Sequence, residues 1–375
     1  MARLGHRLRE EGHEVRLLAS RARQAPGPEP EYTTFGTHHP KAQVLTRTWN
    51  PSARATLRDA LRSFAPDVVH VRQFLWQLSP SIMPLLADVP TVYHVSHYKA
   101  ICPTATKLLP TGARCTLAPG AVCASRGCVT WRTWPFAMTQ LAMFERWSGV
   151  FDRIVVLSEA MKQMLEAEGL GPATVVPNAV RPRPERSRRS DVPLVTYAGR
   201  LARSKGVDVL IDAFARVCAV VTDARLLIAG DGPELASLRS MARAAGVYDR
   251  VEFSGHLARP EMEERLEVSW VHVVPSRWEE PFGNVVTESM ARGVPVIGSA
   301  VGGIPEVLRD GADGVLVPPD DVQALADAIE SLVTSPERAD RMGRSAHARA
   351  HTSFGEQRLV QQMLHLFEGV VAGAT

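Results

Sequence analysis

The chain has no apolar run of the roughly 18 residues needed to cross a bilayer. Charges recur from Met1 to Ser20, so no uninterrupted apolar core of secretory type stands at the start. A cytoplasmic location is the default expectation. No excess of one sign is present either: 43 Lys and Arg face 40 Asp and Glu, leaving +3. That charge, spread over scattered arginines, does not argue for a nucleic-acid partner. Five cysteines in 375 residues are too few for a disulfide scaffold. Repeats and low-complexity tracts are also lacking. What remains is 45% hydrophobic and 22% charged residues, a soluble globular composition long enough for two domains with separate cores.

Short apolar runs closed by glycine or polar residues alternate with helical patterns. In the C-terminal half, strands are predicted at 194–198, 225–229, 251–253, 271–274, 294–298 and 314–317. Helices are predicted at 207–220, 234–245, 260–267, 284–292 and 321–333, the last entered through Asp320 or Asp321 as cap. The N-terminal half is less regular, with strands expected at 14–19, 68–71, 91–95 and 153–157. Strands of four or five residues alternating with helices imply parallel sheets covered on both faces. The division expected is a first domain over 1–180, a linker over 181–192 whose five arginines read as solvated, a second domain over 193–355, and a final helical segment over 356–375.

The most informative stretch is Glu280-Pro281-Phe282-Gly283-Asn284-Val285-Val286-Thr287-Glu288. It places a tight loop after a strand, Asn284 as helix cap, and Glu288 about one turn inside the helix. Two carboxylates and backbone N–H groups then address one region. Carboxylates accept from sugar hydroxyls, and free N–H groups suit phosphate oxygens. Gly199-Arg200 and Lys205-Gly206 follow another strand and supply cations for a diphosphate that gains charge as its bond breaks. Two glutamates eight apart or one Gly-Arg pair is ordinary on any surface; the order in which they occur together is what is specific.

With Tyr197-Ala198-Gly199-Arg200, Ala229-Gly230-Asp231-Gly232-Pro233-Glu234, Phe253-Ser254-Gly255, Pro275-Ser276, Gly302-Gly303-Ile304-Pro305-Glu306 and Gly314 to Pro319, the chain resembles the retaining GT4 glycosyltransferases of GT-B fold. The resemblance implies an α/β protein with two Rossmann-like, doubly wound parallel-sheet domains facing a cleft. It implies that Glu288 binds the ribose and that Glu280 with the amides of Phe282, Gly283 and Asn284 holds the transferred sugar. Arg200 and Lys205, beside Gly199, would hold the diphosphate, and the loop from Gly255 to Leu257 would line the base pocket. His97 would lie beside the donor sugar, although relatives often follow that histidine with Asp and this chain has Tyr98. The donor would be a nucleotide sugar, UDP-linked by preference and GDP-linked as the alternative. The acceptor would be a glycan, a lipid-linked molecule or a small metabolite. The absence of Asp-x-Asp points to transfer without a metal or other cofactor.

Cys102, Cys115, Cys123 and Cys128 lie in a Pro/Gly-rich loop over 102–128. Free thiols, a disulfide and a structural zinc all fit their spacing, although zinc favours closer pairs. Trp131, Trp134, Phe136, Phe144 and Trp147 stand among arginines. They read as a helix packed on the first domain or as a surface meeting the inner membrane face or a lipid-linked acceptor. The chain opens inside what corresponds to the family's first helix. The first strand and its glycine-rich loop are therefore missing and expected upstream. That departure keeps a second reading open, an impaired or non-catalytic nucleotide-binding homologue. A same-fold epimerase or phosphorylase is a third.

Overall fold

The computed structural model describes residues 2–22, 29–186 and 188–373. Met1 and residues 374–375, at the ends of the expected first domain and final segment, lie outside the described residues. So do residues 23–28 within that domain and Ser187 in the expected linker. The chain forms two compact units, 1–176 with 359–375 and 177–358. Among the described residues, no helix is long and apolar enough to cross a membrane.

The first unit holds a parallel pair, β1 (Leu18–Ser20) and β2 (Tyr32–Thr34). It also holds a parallel four-stranded sheet of β3 (Val69–Arg72), β4 (Thr91–His94), β5 (Arg153–Val156) and β6 (Ala173–Val175), in that order. Strand β1 is shorter than the 14–19 expectation, because only three residues find a partner, and that partner, β2, has no apolar run to announce it. β4 is buried along its whole length, as an apolar strand covered on both faces must be. Tyr93 and Phe151 stack at 4.8 Å, with Phe74 and Phe144 around them. Phe144, 3% exposed, is therefore core. Trp131 remains 61% exposed. The C-terminal helix Glu356–Gly373 closes this unit: Val360, Met363, Phe367 and Val370 pack with Leu4, Leu8, Val92 and Val155.

The second unit is a six-stranded parallel sheet: β7 (Leu194–Ala198), β8 (Arg225–Ala229), β9 (Val251–Gly255), β10 (Val271–Val274), β11 (Val296–Ser299) and β12 (Gly314–Val317). Their spatial order is β12-β11-β10-β7-β8-β9. The sheet grows outward from β7 through β8 to β9, then restarts on the other side of β7. The order therefore reverses between β7 and β10, where open α/β sheets bind ligands. The helix Val207–Val220 packs its apolar stripe, including Leu210, Phe214 and Val217, on the sheet, beside the helix Val322–Val333. The cap of the latter is Asp321, whose carboxylate accepts from Ala324 N–H at 2.9 Å. Asp320, at φ +63, turns to Arg277 instead.

The arginines of 181–192 differ from the expectation of a solvated linker. Arg183 pairs with Glu263 at 2.5 Å, Arg186 bonds Ser269 O and Asp340, and Arg189 lies 4.5 Å from the Trp270 ring centre. The segment is pinned to the second unit, with Arg181 and Arg188 left exposed.

Candidate functional site

The reversal between β7 and β10 brings together two loops, one after each strand. Arg277 and Trp278 N–H donate to Ser204 O, and the Arg277 guanidinium grips Asp208 through two bonds of 2.6 and 2.7 Å. Burial alone would raise the Asp208 carboxyl, but the paired Arg277 outweighs it and holds the group below its ordinary value. Gly206, at φ +65, lets the first loop pass the second: a Cβ there would sit 1.9 Å from Pro275 O.

At this junction Lys205 Nζ bonds Glu280 Oε1 at 2.5 Å, and Ser276 Oγ donates to the same oxygen at 2.7 Å. Lys205 also lies 4.6 Å from the Trp278 ring centre. Glu280 is 8% exposed, so its charge depends on these two partners. Its backbone carbonyl accepts from Gly303 N–H at 2.7 Å, which fixes the loop from the far side. Gly302, at φ +54, makes that approach fit, since a Cβ would fall 2.4 Å from the Glu280 backbone. Tyr197 Oη donates to Arg200 O at 3.0 Å; burial and the nearby Glu280 charge push its phenol up. Gly199 and Arg200 stand exposed beside this junction.

The helix after the loop runs Asn284–Met290. Asn284 does not cap it. Gly283, at φ +93, takes the cap position, where a left-handed backbone suits glycine, and Asn284 becomes the first helical residue. Its side chain instead accepts from Asn178 Nδ2 at 2.9 Å. The Phe282 ring is core, 2% exposed against Phe354, so only its backbone faces chemistry. With 7 residues the helix contributes a small dipole, and Arg200 and Lys205 supply the formal positive charge. Glu288, half-buried, lies 4.0 Å from Arg259, two residues after Leu257 in the chain. Gly255, at φ +69, accepts from Gly230 N–H at 2.8 Å. The structure thus groups Gly199, Arg200, Lys205, Glu280 and Gly283 on neighbouring loops, with Asn284 opening the helix that follows and Glu288 beside Arg259.

His97 belongs to the first unit, just past β4. Trp76 Nε1 donates to its Nε2 at 2.6 Å, and Lys99 N–H approaches its Nδ1 at 3.2 Å. Burial, with Lys99 and Arg72 nearby, lowers its pKa to about 4, so the ring is neutral at pH 7. The four loop cysteines are free thiols. Burial and the other three cysteines push the Cys128 thiol up. Among the described residues, no three His, Cys, Asp or Glu side chains are arranged to hold a metal ion.

Sequence reasoning passed over Ser276 and Arg277 as working residues, and Trp76 entirely. Ser276 lies inside a quoted motif, but nothing local marks its hydroxyl as the second partner of Glu280.

Comparison with known families matches residues 181–349 to a model described as Glycosyl transferases group 1. Residues 1–184 match one described as Glycosyltransferase Family 4. A glycogen synthase of Mycobacterium tuberculosis is 30% identical over 304 residues, 79% of this chain and 67% of that protein. An alpha-D-kanosaminyltransferase of Streptomyces kanamyceticus is 36% identical over 162 residues, 43% of this chain and 42% of that protein. The matched region thus spans less than half the length of the latter, and only 24% of an exopolysaccharide phosphotransferase from Streptomyces coelicolor. The fold is similar to that of a sucrose-phosphate synthase from Thermosynechococcus elongatus, with TM-score 0.72 and 22% identity, covering 99% of this chain and 92% of that one.

Proposed function

Because the chain belongs to glycosyltransferase family 4, within the group 1 glycosyl transferases, we propose that it transfers a sugar from a nucleotide-sugar donor to a hydroxyl acceptor with retention of configuration. The observation that carries this reading is the Lys205–Glu280–Ser276 network at the sheet's switch point, with Arg200 exposed beside it. Glu280 accepts from hydroxyls of the transferred sugar, and Ser276 keeps its carboxylate aimed. Arg200 and Lys205 stabilise the charge that builds on the departing diphosphate. Glu288 holds the ribose, and the 255–257 loop lines the base. The acceptor hydroxyl attacks the anomeric carbon as the bond to the diphosphate breaks. Its proton passes to a phosphate oxygen of the leaving group on the same face, so no enzyme nucleophile is needed. Positioning and charge stabilisation supply the rate. In the first unit, His97 stays neutral and serves as a polar contact rather than a cation.

Two cations with no Asp-x-Asp motif support transfer without a metal. Turnover is expected to survive EDTA; its abolition and restoration by a divalent ion would reject that part. Trp131 and Phe136, exposed beside arginines, are the surface for any lipid contact, and partition onto anionic vesicles tests it.

The decisive test is calorimetry with UDP, GDP and ADP on the wild-type chain and on Glu288→Ala. One nucleotide should bind, with the affinity lost by about tenfold or more in the variant. No binding by a folded chain would favour the non-catalytic reading.

A further inference from the structure

The first unit carries two cations, Arg47 and Lys99, that the donor chemistry does not use. The helix Pro40–Thr48 places Arg47 with its guanidinium 4.7 Å from the Trp76 ring centre, and Lys99 Nζ lies 5.3 Å from the same ring. Trp76 and the Lys99 backbone both present N–H groups to the His97 ring, which as a neutral imidazole can accept at only one nitrogen. Lys99 is 4% exposed and gives one bond, at 2.6 Å, to Pro103 O. Arg47 Nε is buried with no hydrogen-bond partner among the described residues.

Buried or half-buried cations normally pair with carboxylates. Here the charges felt by Lys99 are Arg47, which lowers its pKa, and the thiol Cys102; burial, the largest cause, brings it to about 8. Arg47 is lowered by burial alone. His97 feels Lys99 and Arg72. Among the described residues, no aspartate or glutamate acts on any of the three. The cluster is rich in donors and positive charge and poor in acceptors. Arg47, Trp76 and His97 are each partly open to solvent, so a ligand can reach it. It also sits beyond the C-terminal ends of β3 and β4, where parallel sheets present ligand sites.

We propose that Arg47 and Lys99, on the Trp76 ring, bind an oxyanion, phosphate or carboxylate, carried by the acceptor. The assignment rests on the transferase reading for the anion's role as part of the acceptor, not for its binding. Arg47 supplies a planar fork, and Lys99 a point charge 5.3 Å from the same ring centre. The anion would supply the counter-charge this part of the protein lacks. The enzyme would then select acidic acceptors over neutral ones of equal size.

Inorganic phosphate and succinate should be titrated by calorimetry into an Arg200→Ala/Lys205→Ala chain, which removes the donor-side cations. At least one should bind, and adding Arg47→Gln should weaken it by about tenfold. Arg47 is only half-buried, so this variant is expected to fold; a cooperative thermal melt checks it. Lys99→Met should act in the same direction. Absence of anion binding in the folded double variant, or an affinity unchanged by Arg47→Gln, would overturn the assignment. Competition by glycerol 3-phosphate would assign the anion to a soluble acceptor, and competition by phosphatidylglycerol vesicles alone to a lipid headgroup. In the transfer assay, a sugar acceptor and its phosphorylated form should differ in KM, and Arg47→Gln should raise KM for the phosphorylated form only. Failure of nucleotide binding would sink the transferase reading and leave the anion titration standing.

Discussion

Lys205 and Glu280 satisfy one another inside a site where each is proposed to meet a different part of the donor. Breaking the pair from either side should therefore separate stability from activity. Lys205→Met leaves a nearly buried carboxylate with only Ser276, and stability should fall by about 1–3 kcal/mol. Glu280→Gln keeps a polar group for Ser276 and should cost less. Each should lower kcat by about 10²–10³-fold. The double variant should recover much of the melting temperature and none of the rate. Recovery of rate would mean that the pair is structural only. Glu280 and Lys205 could be picked out beforehand because charged residues just past buried strands have few structural uses. Trp76 and Arg47 could not, since nothing in either local sequence marks them. They meet only after the helix Pro40–Thr48 packs near the segment Phe74–Trp76.

Among the elements, buried strands of the second unit were legible because four or five apolar residues ending at glycine or a polar residue have few other uses. Boundaries that depend on a partner were not. The expectation at 14–19 shrank to Leu18–Ser20, since β2 offers only three residues of pairing. Asn284 was expected to cap its helix because asparagine is among the best capping residues. The chain instead needs a left-handed turn at 283, and the glycine there takes the position. At the helix Val322–Val333 both aspartates looked suitable, and backbone conformation decided for Asp321. Asp321→Ala should lower stability by about 1 kcal/mol in urea unfolding, whereas Asp320→Ala should spare the cap. An unchanged stability in Asp321→Ala would show that the cap bond contributes nothing.

At the scale of the molecule, both units bury histidines that stay neutral. His272, 1% exposed and bonded to Thr196 Oγ1 at 3.0 Å, is lowered to about 3 by burial and by Arg292. His70 is lowered to about 3 and His97 to about 4, burial again being the largest cause. Their unfolded values lie near 6.5, so the unfolded chain takes up the protons first as pH falls. Their stability contribution is complete above about pH 6.5 and drains away between there and pH 3–4. Each histidine can contribute at most about 1.4 kcal/mol per pH unit in that window. Melting temperature should be level from pH 8 to 7 and fall steadily toward pH 4.5. A level profile down to pH 5 would contradict the burial of these rings.

The first unit is assembled from two separate stretches, 1–176 and 359–375, with Val360, Met363, Phe367 and Val370 lying against Val92 and Val155. During synthesis its N-terminal part leaves the ribosome first, yet its apolar face must wait for a helix that begins at Glu356. Nearly all of the second unit, continuous from 177 to 358, is translated before that helix. At about 5–20 residues per second, the waiting period is roughly ten seconds or more. The order of birth and the order of completion are thus reversed, and the early segment is the one a chaperone would hold.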